Sequence, residues 1–187
     1  MDDKLVICLA GMPGSGKSII VEVAKERGYD IVVMGDAIRE EAERRRLEPN
    51  PENLGKIMLE LRRSEGKAVI AKRCFPKIEE KTKSKVIVDG VRSLSEVEEF
   101  KKNFPKLSFI AVHSSPETRF SRVYRRRRSD DSENWEVFRE RDMRELSVGL
   151  GDAIAMAEYI IMNEEKLEAV KEKVREILRR IEEKWMR

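Results

Sequence analysis

The sequence has a single histidine, two cysteines and few aromatic residues, the last making up 6% of its 187 positions. With His113 alone, a histidine-based metal centre has nothing to be built from, and neither has a Ser-His-Asp triad centred anywhere else. Cys8 and Cys74 make neither a disulfide framework nor a zinc set. No apolar run reaches the roughly 18 residues of a membrane span. Net charge is also small: 39 Lys+Arg against 36 Asp+Glu leave +3. Such a balance describes a salt-bridge-laced surface and no polybasic tail. The start, Met1-Asp2-Asp3-Lys4, is acidic and runs straight into an apolar stretch, unlike a signal peptide. A soluble, cytoplasmic protein is expected, with no membrane partner.

Charged residues are plentiful at 40%, matched by 40% hydrophobic residues. Abundant Glu, Lys and Arg with few aromatics is a composition found in proteins of hot environments. The length suits one compact α/β domain over 1–187, and apolar segments recur throughout, which argues against disorder. Short β-branched runs alternate with longer helical patterns, the signature of a parallel sheet with crossover helices. The expected strands are Leu5–Ala10, Ile31–Met34, Val86–Asp89, Leu107–Val112 and Tyr159–Met162. Helix starts are read at Asn50-Pro51, at Ser95 with Glu98 in capping-box spacing, and at Ser115-Pro116-Glu117. After Asn163 the chain reads as helical, with Val170, Val174, Ile177, Leu178 and Ile181 as its stripe. Between the second and third strands lie about fifty residues, far more than a simple crossover needs. That surplus reads as a helical insertion over about 36–83, in the place where such folds carry substrate sites.

The strongest signal is Gly11-Met12-Pro13-Gly14-Ser15-Gly16-Lys17-Ser18, a complete match to G-x-x-x-x-G-K-[ST] between an apolar strand and a helical pattern. Its glycines let successive main-chain N–H groups turn inward onto phosphate oxygens, and the helix opening near Lys17 adds its positive end. Lys17 is expected to reach the β- and γ-phosphates of ATP, and the Ser18 hydroxyl to ligate Mg²⁺. The strand Val86–Asp89 ends in a carboxylate; beside such a loop, Asp89 reads as a second holder of Mg²⁺.

Arginines collect at element ends: Arg39 after Gly35-Asp36, Arg92 after Asp89-Gly90, Arg119, Arg122 and Arg126 on one helical run, Arg128, then Arg139 and Arg141. Phosphoryl transfer between two polyanions needs such a surplus, because planar forked donors relieve their repulsion without proton chemistry. Arg44 and Arg45, beside Glu40 and Glu41, read instead as a solvated face of i,i+4 pairs. The run Arg125–Arg128 admits a nucleic-acid reading, which the modest net charge and the lack of interleaved aromatics argue against.

On these residues the sequence resembles the P-loop nucleoside monophosphate kinases, and most of all the small archaeal adenylate-kinase-related proteins; it is also similar to dephospho-CoA kinase. Gly35-Asp36-Ala37-Ile38-Arg39 resembles Gly-Asp-x-x-Arg, and Asp89-Gly90-Val91-Arg92 resembles Asp-Gly-Phe-Pro-Arg without its proline. Arg122 and Arg126 look like the first lid arm, and Arg128-Ser129-Asp130-Asp131 matches Arg-x-Asp-Asp. The resemblance implies an α/β P-loop NTPase three-layer sandwich: a five-stranded parallel sheet of order 2-3-1-4-5, an acceptor-binding insertion over about 36–83 and a short lid over about 126–139. It implies an enzyme that moves the γ-phosphoryl of Mg-ATP to a nucleoside monophosphate, AMP or another. Asp36, Arg39 and Arg92 would hold that acceptor, and Lys17, Arg122, Arg126 and Arg139 or Arg141 the transferring group, with Arg139 preferred. Asn163 falls where the family's adenine-contacting loop begins, though a helix N-cap is an equal reading. The alternatives are dephospho-CoA kinase, whose hydroxyl acceptor wants a base such as Asp36 or Asp89, and an ATPase switch acting on RNA or a ribonucleoprotein. Cys8, Cys74, Met58, Met162 and His113 read as structural, and Trp135 as lid packing.

Overall fold

The computed structural model describes residues 3–126 and 133–185. Five parallel strands, β1 (Leu5–Ala10), β2 (Asp30–Val33), β3 (Lys85–Val91), β4 (Leu107–His113) and β5 (Tyr159–Met162), form one sheet in the order β2-β3-β1-β4-β5. Strand β1 is central, and its two faces are both buried, which is why its sequence is apolar throughout. Side chains alternate across it. Leu5, Ile7 and Leu9 join the core under α1 (Lys17–Glu26) and α9 (Leu167–Trp185), while Val6, Cys8 and Ala10 join the core on the other face.

That second face carries α2 (Met34–Arg44), α3 (Pro51–Glu65), α4 (Val69–Glu79), α5 (Leu94–Asn103) and α8 (Leu150–Ala155). Helices α2, α3 and α4 occupy the long interval between β2 and β3. Asn50 caps α3, its side chain accepting from the Asn53 amide at 2.9 Å, with Pro51 in the first turn. Helix α6 (Pro116–Arg126) and α7 (Trp135–Ser147) flank residues 127–132, so Arg128, Asp130, Asp131 and the middle of the expected lid lie outside the described residues. Phe120, Trp135 and Phe138 pack edge to face between these helices, Phe120 and Trp135 with ring centroids 5.1 Å apart. Trp135 is therefore packing, as expected.

Several expectations change. Met34 starts α2 rather than closing β2. Strand β3 runs past Asp89 to Val91, because Gly90, at φ 99°, is the extra residue of a bulge against β1. The capping box of α5 sits two residues earlier than expected: Ser93 accepts from the Glu96 amide, and the Glu96 carboxylate reaches back to the Arg92 amide at 2.7 Å. Met162 is 48% exposed, since β5 is an edge strand with one face uncovered. Glu41 belongs to no solvated face; its buried carboxylate collects Arg44, Arg45 and Arg73. Among the described residues no helix is long and apolar enough to cross a membrane.

Candidate functional site

The loop between β1 and α1 is shaped by residues that tolerate no side chain. A Cβ on Gly14 (φ 80°) would stand 2.6 Å from the Arg119 carbonyl oxygen, and one on Gly16 (φ 95°) 2.0 Å from Asn163 Nδ2. The amide of Ser15 bonds the Met12 carbonyl at 3.0 Å, whereas those of Gly14, Gly16, Lys17 and Ser18 find no hydrogen-bond partner among the described residues. Four donors at the start of a helix make an anion site, so the loop fits a polyphosphate. Lys17 Nζ meanwhile rests on the Gly11 carbonyl at 2.6 Å and the Met12 carbonyl at 3.5 Å. Met12 contributes that carbonyl alone, its side chain being buried in the core, and Ser15 is fully buried. Gly11, Pro13, Gly14, Gly16, Lys17 and Ser18 line an open cleft of 550 Å³.

Asp89, Arg92, Arg122, Arg126 and Arg141 line the same cleft. Burial lowers the Lys17 ammonium from its ordinary value; Asp89 and Glu145 oppose this, while Arg92 and Arg141 add to it. Ser18 and Asp89 offer a hydroxyl and a carboxylate, oxygen donors of the kind Mg²⁺ takes. Among the described residues there is no group of three or more His, Cys, Asp or Glu able to hold a metal. A cation here must therefore draw most of its ligands from phosphate and water, which fits the nucleotide-bound Mg²⁺ of such sites.

A second cavity of 460 Å³ opens beside the first, between the insertion helices and α7. Its lining combines the apolar side chains Ile38, Leu54, Met58, Val137 and Phe138 with Arg39, Arg92, Arg141 and Arg144. The two spaces share Gly35, Arg39, Arg92, Arg141 and Glu145. Arg39 Nη1 bonds Asp36 Oδ1 at 2.7 Å, an exposed i,i+3 pair on α2. Arg92 Nε donates to Glu145 Oε2 at 2.6 Å. Glu145 itself is pulled two ways: burial raises its carboxyl, but Arg92, Arg141 and Lys17 outweigh this and hold it below its ordinary value.

The structure places the remaining candidates as follows. Arg122 faces the cleft, yet its Nη1 bonds Ser114 Oγ at 2.8 Å and its Nη2 the Asn163 carbonyl at 2.8 Å. Arg126 lines the cleft from the end of α6. Arg139 does not; it is exposed on the outer side of α7, and Arg141 is the arginine of that helix that lines both spaces. The inner face of α7 is marked by buried Phe138, Asp142 and Glu145, one helical turn apart. Asn163 neither caps a helix nor opens onto the cleft: 2% exposed, it donates from Nδ2 to the Ser15 carbonyl at 2.8 Å and so braces the loop from behind.

Sequence reasoning missed two buried pairs. Arg119 and Asp142 pair through both oxygens, Nη1 to Oδ1 at 2.8 Å and Nη2 to Oδ2 at 2.6 Å. Arg119 also donates to the Ser114 and Pro13 carbonyls at 3.2 Å each, tying α7 to the loop. Glu145 is the second acid, three residues on. The one available signal was two acids, Asp142 and Glu145, following Phe138, the one fully buried apolar residue of the helix.

Residues 10–139 match the AAA domain family. Among curated relatives, the UPF0200 protein of Hyperthermus butylicus is 48% identical over 178 residues, covering 95% of each chain. That of Methanocaldococcus jannaschii is 49% identical over 179 residues, covering 95% of this chain and 90% of its own. A UPF0200/UPF0201 protein of Archaeoglobus fulgidus is 51% identical over 92% of this chain but only 54% of its own length. The fold is shared with solved structures of low identity. TT1252 from Thermus thermophilus has a TM-score of 0.65 at 14% identity, covering 96% of this chain and 98% of its own. A shikimate kinase from Bacteroides thetaiotaomicron has a TM-score of 0.61 at 16% identity, covering 94% and 98%. A P-loop domain of the kinase fold, matched along nearly its whole length by these archaeal sequences, makes the chain a member of the UPF0200 family.

Proposed function

We propose that the protein is a small-molecule kinase, transferring the γ-phosphoryl of Mg-ATP to a nucleoside monophosphate seated in the 460 Å³ cavity. The observation that carries this reading is the junction of two spaces: an anion-binding loop lines one, a half-apolar cavity forms the other, and Arg39, Arg92 and Arg141 belong to both. A flat base suits the apolar side chains of Ile38, Leu54, Met58 and Phe138, and an acceptor phosphate suits the shared arginines.

In this reading the amides of Gly14, Gly16, Lys17 and Ser18 hold the donor's phosphates, and Lys17 exchanges the Gly11 carbonyl for a phosphate oxygen. Ser18 and Asp89 would hold Mg²⁺, which neutralises charge on the β- and γ-phosphates when bound. An oxygen of the acceptor phosphate attacks the γ-phosphorus as the bond from that phosphorus to the β,γ-bridging oxygen breaks, and ADP leaves. Arg92, Arg122, Arg126 and Arg141 counter the charge shared among the three phosphates, and no covalent enzyme intermediate is required. Asp36 and Arg39, already paired on α2, present a guanidinium to the acceptor side.

A second reading, transfer to a hydroxyl, is favoured by the likeness to solved structures named shikimate kinase and gluconokinase. A hydroxyl needs a base. Asp36, paired with Arg39, and Asp89, beside Lys17, are the two candidates. The test is a screen of nucleoside monophosphates, dephospho-CoA, shikimate, gluconate and water with Mg-ATP, reading ADP release. Strong stimulation by one monophosphate, abolished in Lys17→Ala and accompanied by a raised acceptor KM in Arg39→Ala, is the expected result. Equal rates with every acceptor and with water would leave only an ATPase and refute the proposal.

A further inference from the structure

A carboxylate stands where the proposed site gathers phosphates, and this needs a reason. Glu145 lines both spaces, and its side chain is 11% exposed. A negative charge there repels every anion the site would bind, at a cost that grows as the surroundings lose water. Removing it would by charge alone tighten anion binding. What the acid does provide is geometric. Its Oε2 takes the Nε–H of Arg92 at 2.6 Å, while the Arg92 main-chain amide is fixed by Glu96 at 2.7 Å. Arg92 is thus gripped at the backbone and at one edge of its guanidinium. Its two terminal amino groups have no hydrogen-bond partner among the described residues, and the side chain borders both spaces.

We propose that Glu145 is a positioning residue: delivered by α7, its carboxylate holds Arg92 by the Nε edge so that both terminal amino groups are presented to an anionic acceptor. This deepens the kinase reading and rests on it for the identity of the acceptor. A long arginine side chain loses much freedom on binding; one already held pays that cost before the ligand arrives. Delivery from α7 also explains the spacing. Glu145 lies one turn from Arg141, which borders the same two spaces, and three residues from Asp142, which grips Arg119 on the loop side.

The experiment compares wild type, Glu145→Gln, Arg92→Ala and the double variant, with AMP and the other nucleoside monophosphates as acceptors. The expected result is an acceptor KM raised about tenfold in Glu145→Gln, an ATP KM within threefold of wild type, and no further loss when Glu145→Gln is added to Arg92→Ala. Tighter acceptor binding in Glu145→Gln would make the acid a mere counter-charge and overturn the proposal. Equal losses for ATP and acceptor would make it a packing residue and overturn it as well. A readout independent of turnover separates this from the kinase reading: the Arg92 Nε–H resonance in ¹⁵N-arginine-labelled protein. Should no acceptor stimulate turnover, the kinase reading falls. A slowly exchanging Nε–H signal lost in Glu145→Gln would still support the positioning role, and a signal unchanged by the substitution would refute it.

Discussion

Replacing Asp142 with alanine tests whether α7 is seated by charge. Arg119 and Asp142 are 5% and 11% exposed, and they share two charge-assisted hydrogen bonds of 2.8 and 2.6 Å. Once the carboxylate is gone, Arg119 keeps the Ser114 and Pro13 carbonyls, both at 3.2 Å, and the face of Phe138 at 5.1 Å. These partners satisfy some of its donors and none of its charge. Removing one partner of a buried ion pair costs about 3–5 kcal/mol, because the remaining ion cannot recover its hydration. For a chain of this size each kcal/mol moves the melting temperature by about 2–4 °C, so a fall of about 6–20 °C is expected. Guanidinium unfolding of Asp142→Ala gives the free energy directly. Arg119→Met/Asp142→Leu provides the control: with both charges gone and volume kept, stability should return to within about 1 kcal/mol of wild type. The double variant, unlike the single one, also loses the bond to Pro13, so its stability should recover while its nucleotide affinity falls. A loss below about 1 kcal/mol in the single variant is what an exposed pair gives, and would refute a charge-seated α7.

Gly16→Ala forces a Cβ to within 2.0 Å of Asn163 Nδ2 at a φ of 95°, so it should displace Asn163 from the Ser15 carbonyl. ATP affinity by calorimetry should drop at least about tenfold, and unchanged affinity would show that the loop shape is not set there. The Glu41 carboxyl is held down to about 2, chiefly by Arg44 against the opposing effect of burial, with Arg45 and Arg73 assisting. Its folded value lies below its ordinary 4.5, so the stability it brings is complete above that pH and drains away as acid approaches pH 2. Glu41→Gln should cost about 2–4 kcal/mol at pH 7 and almost nothing at pH 2, measured by urea unfolding across that range. An acid limb identical to wild type would overturn the assignment.

The donor half of the site was readable because its chemistry is local. Eight consecutive residues supply the main-chain amides, and a strand before and a helix after them fix their direction. The strands followed from apolar runs and the insertion from the length between β2 and β3, whereas the strand order was implied by the family resemblance. The surroundings of the second cavity were harder. Helix α7 has a single fully buried apolar residue, Phe138, so hydrophobic periodicity gives its face no register, and Arg139 was preferred to Arg141. Asn163 was read from its place after a strand, although its side chain turns back to the Ser15 carbonyl 148 positions away in the chain. Glu41 looked like a surface acid because two of its arginines are i,i+3 and i,i+4 neighbours; the third, Arg73, comes from α4 and needs the tertiary fold.

Why a helix beside a phosphate site should bury two acids follows from counting charges around it. Lys17, Arg92 and Arg141 crowd one region where like charges repel, and Arg119 is buried beside the loop. Solvent could screen them, but the Arg119 side chain is almost wholly out of its reach. Acids are the remaining means, and their spacing decides which arginines they serve. At i and i+3 on one helix, Asp142 and Glu145 point to the same side about one turn apart. One meets Arg119 of α6, which itself donates to the Pro13 carbonyl; the other meets the arginine leaving β3. The sheet order places those two chain exits on either side of β1, so a single turn of α7 spans the mouth of the loop. A helix held in this way ties the loop at Pro13 and the side chain of Arg92 to one rigid turn, and a shift of that turn must disturb both.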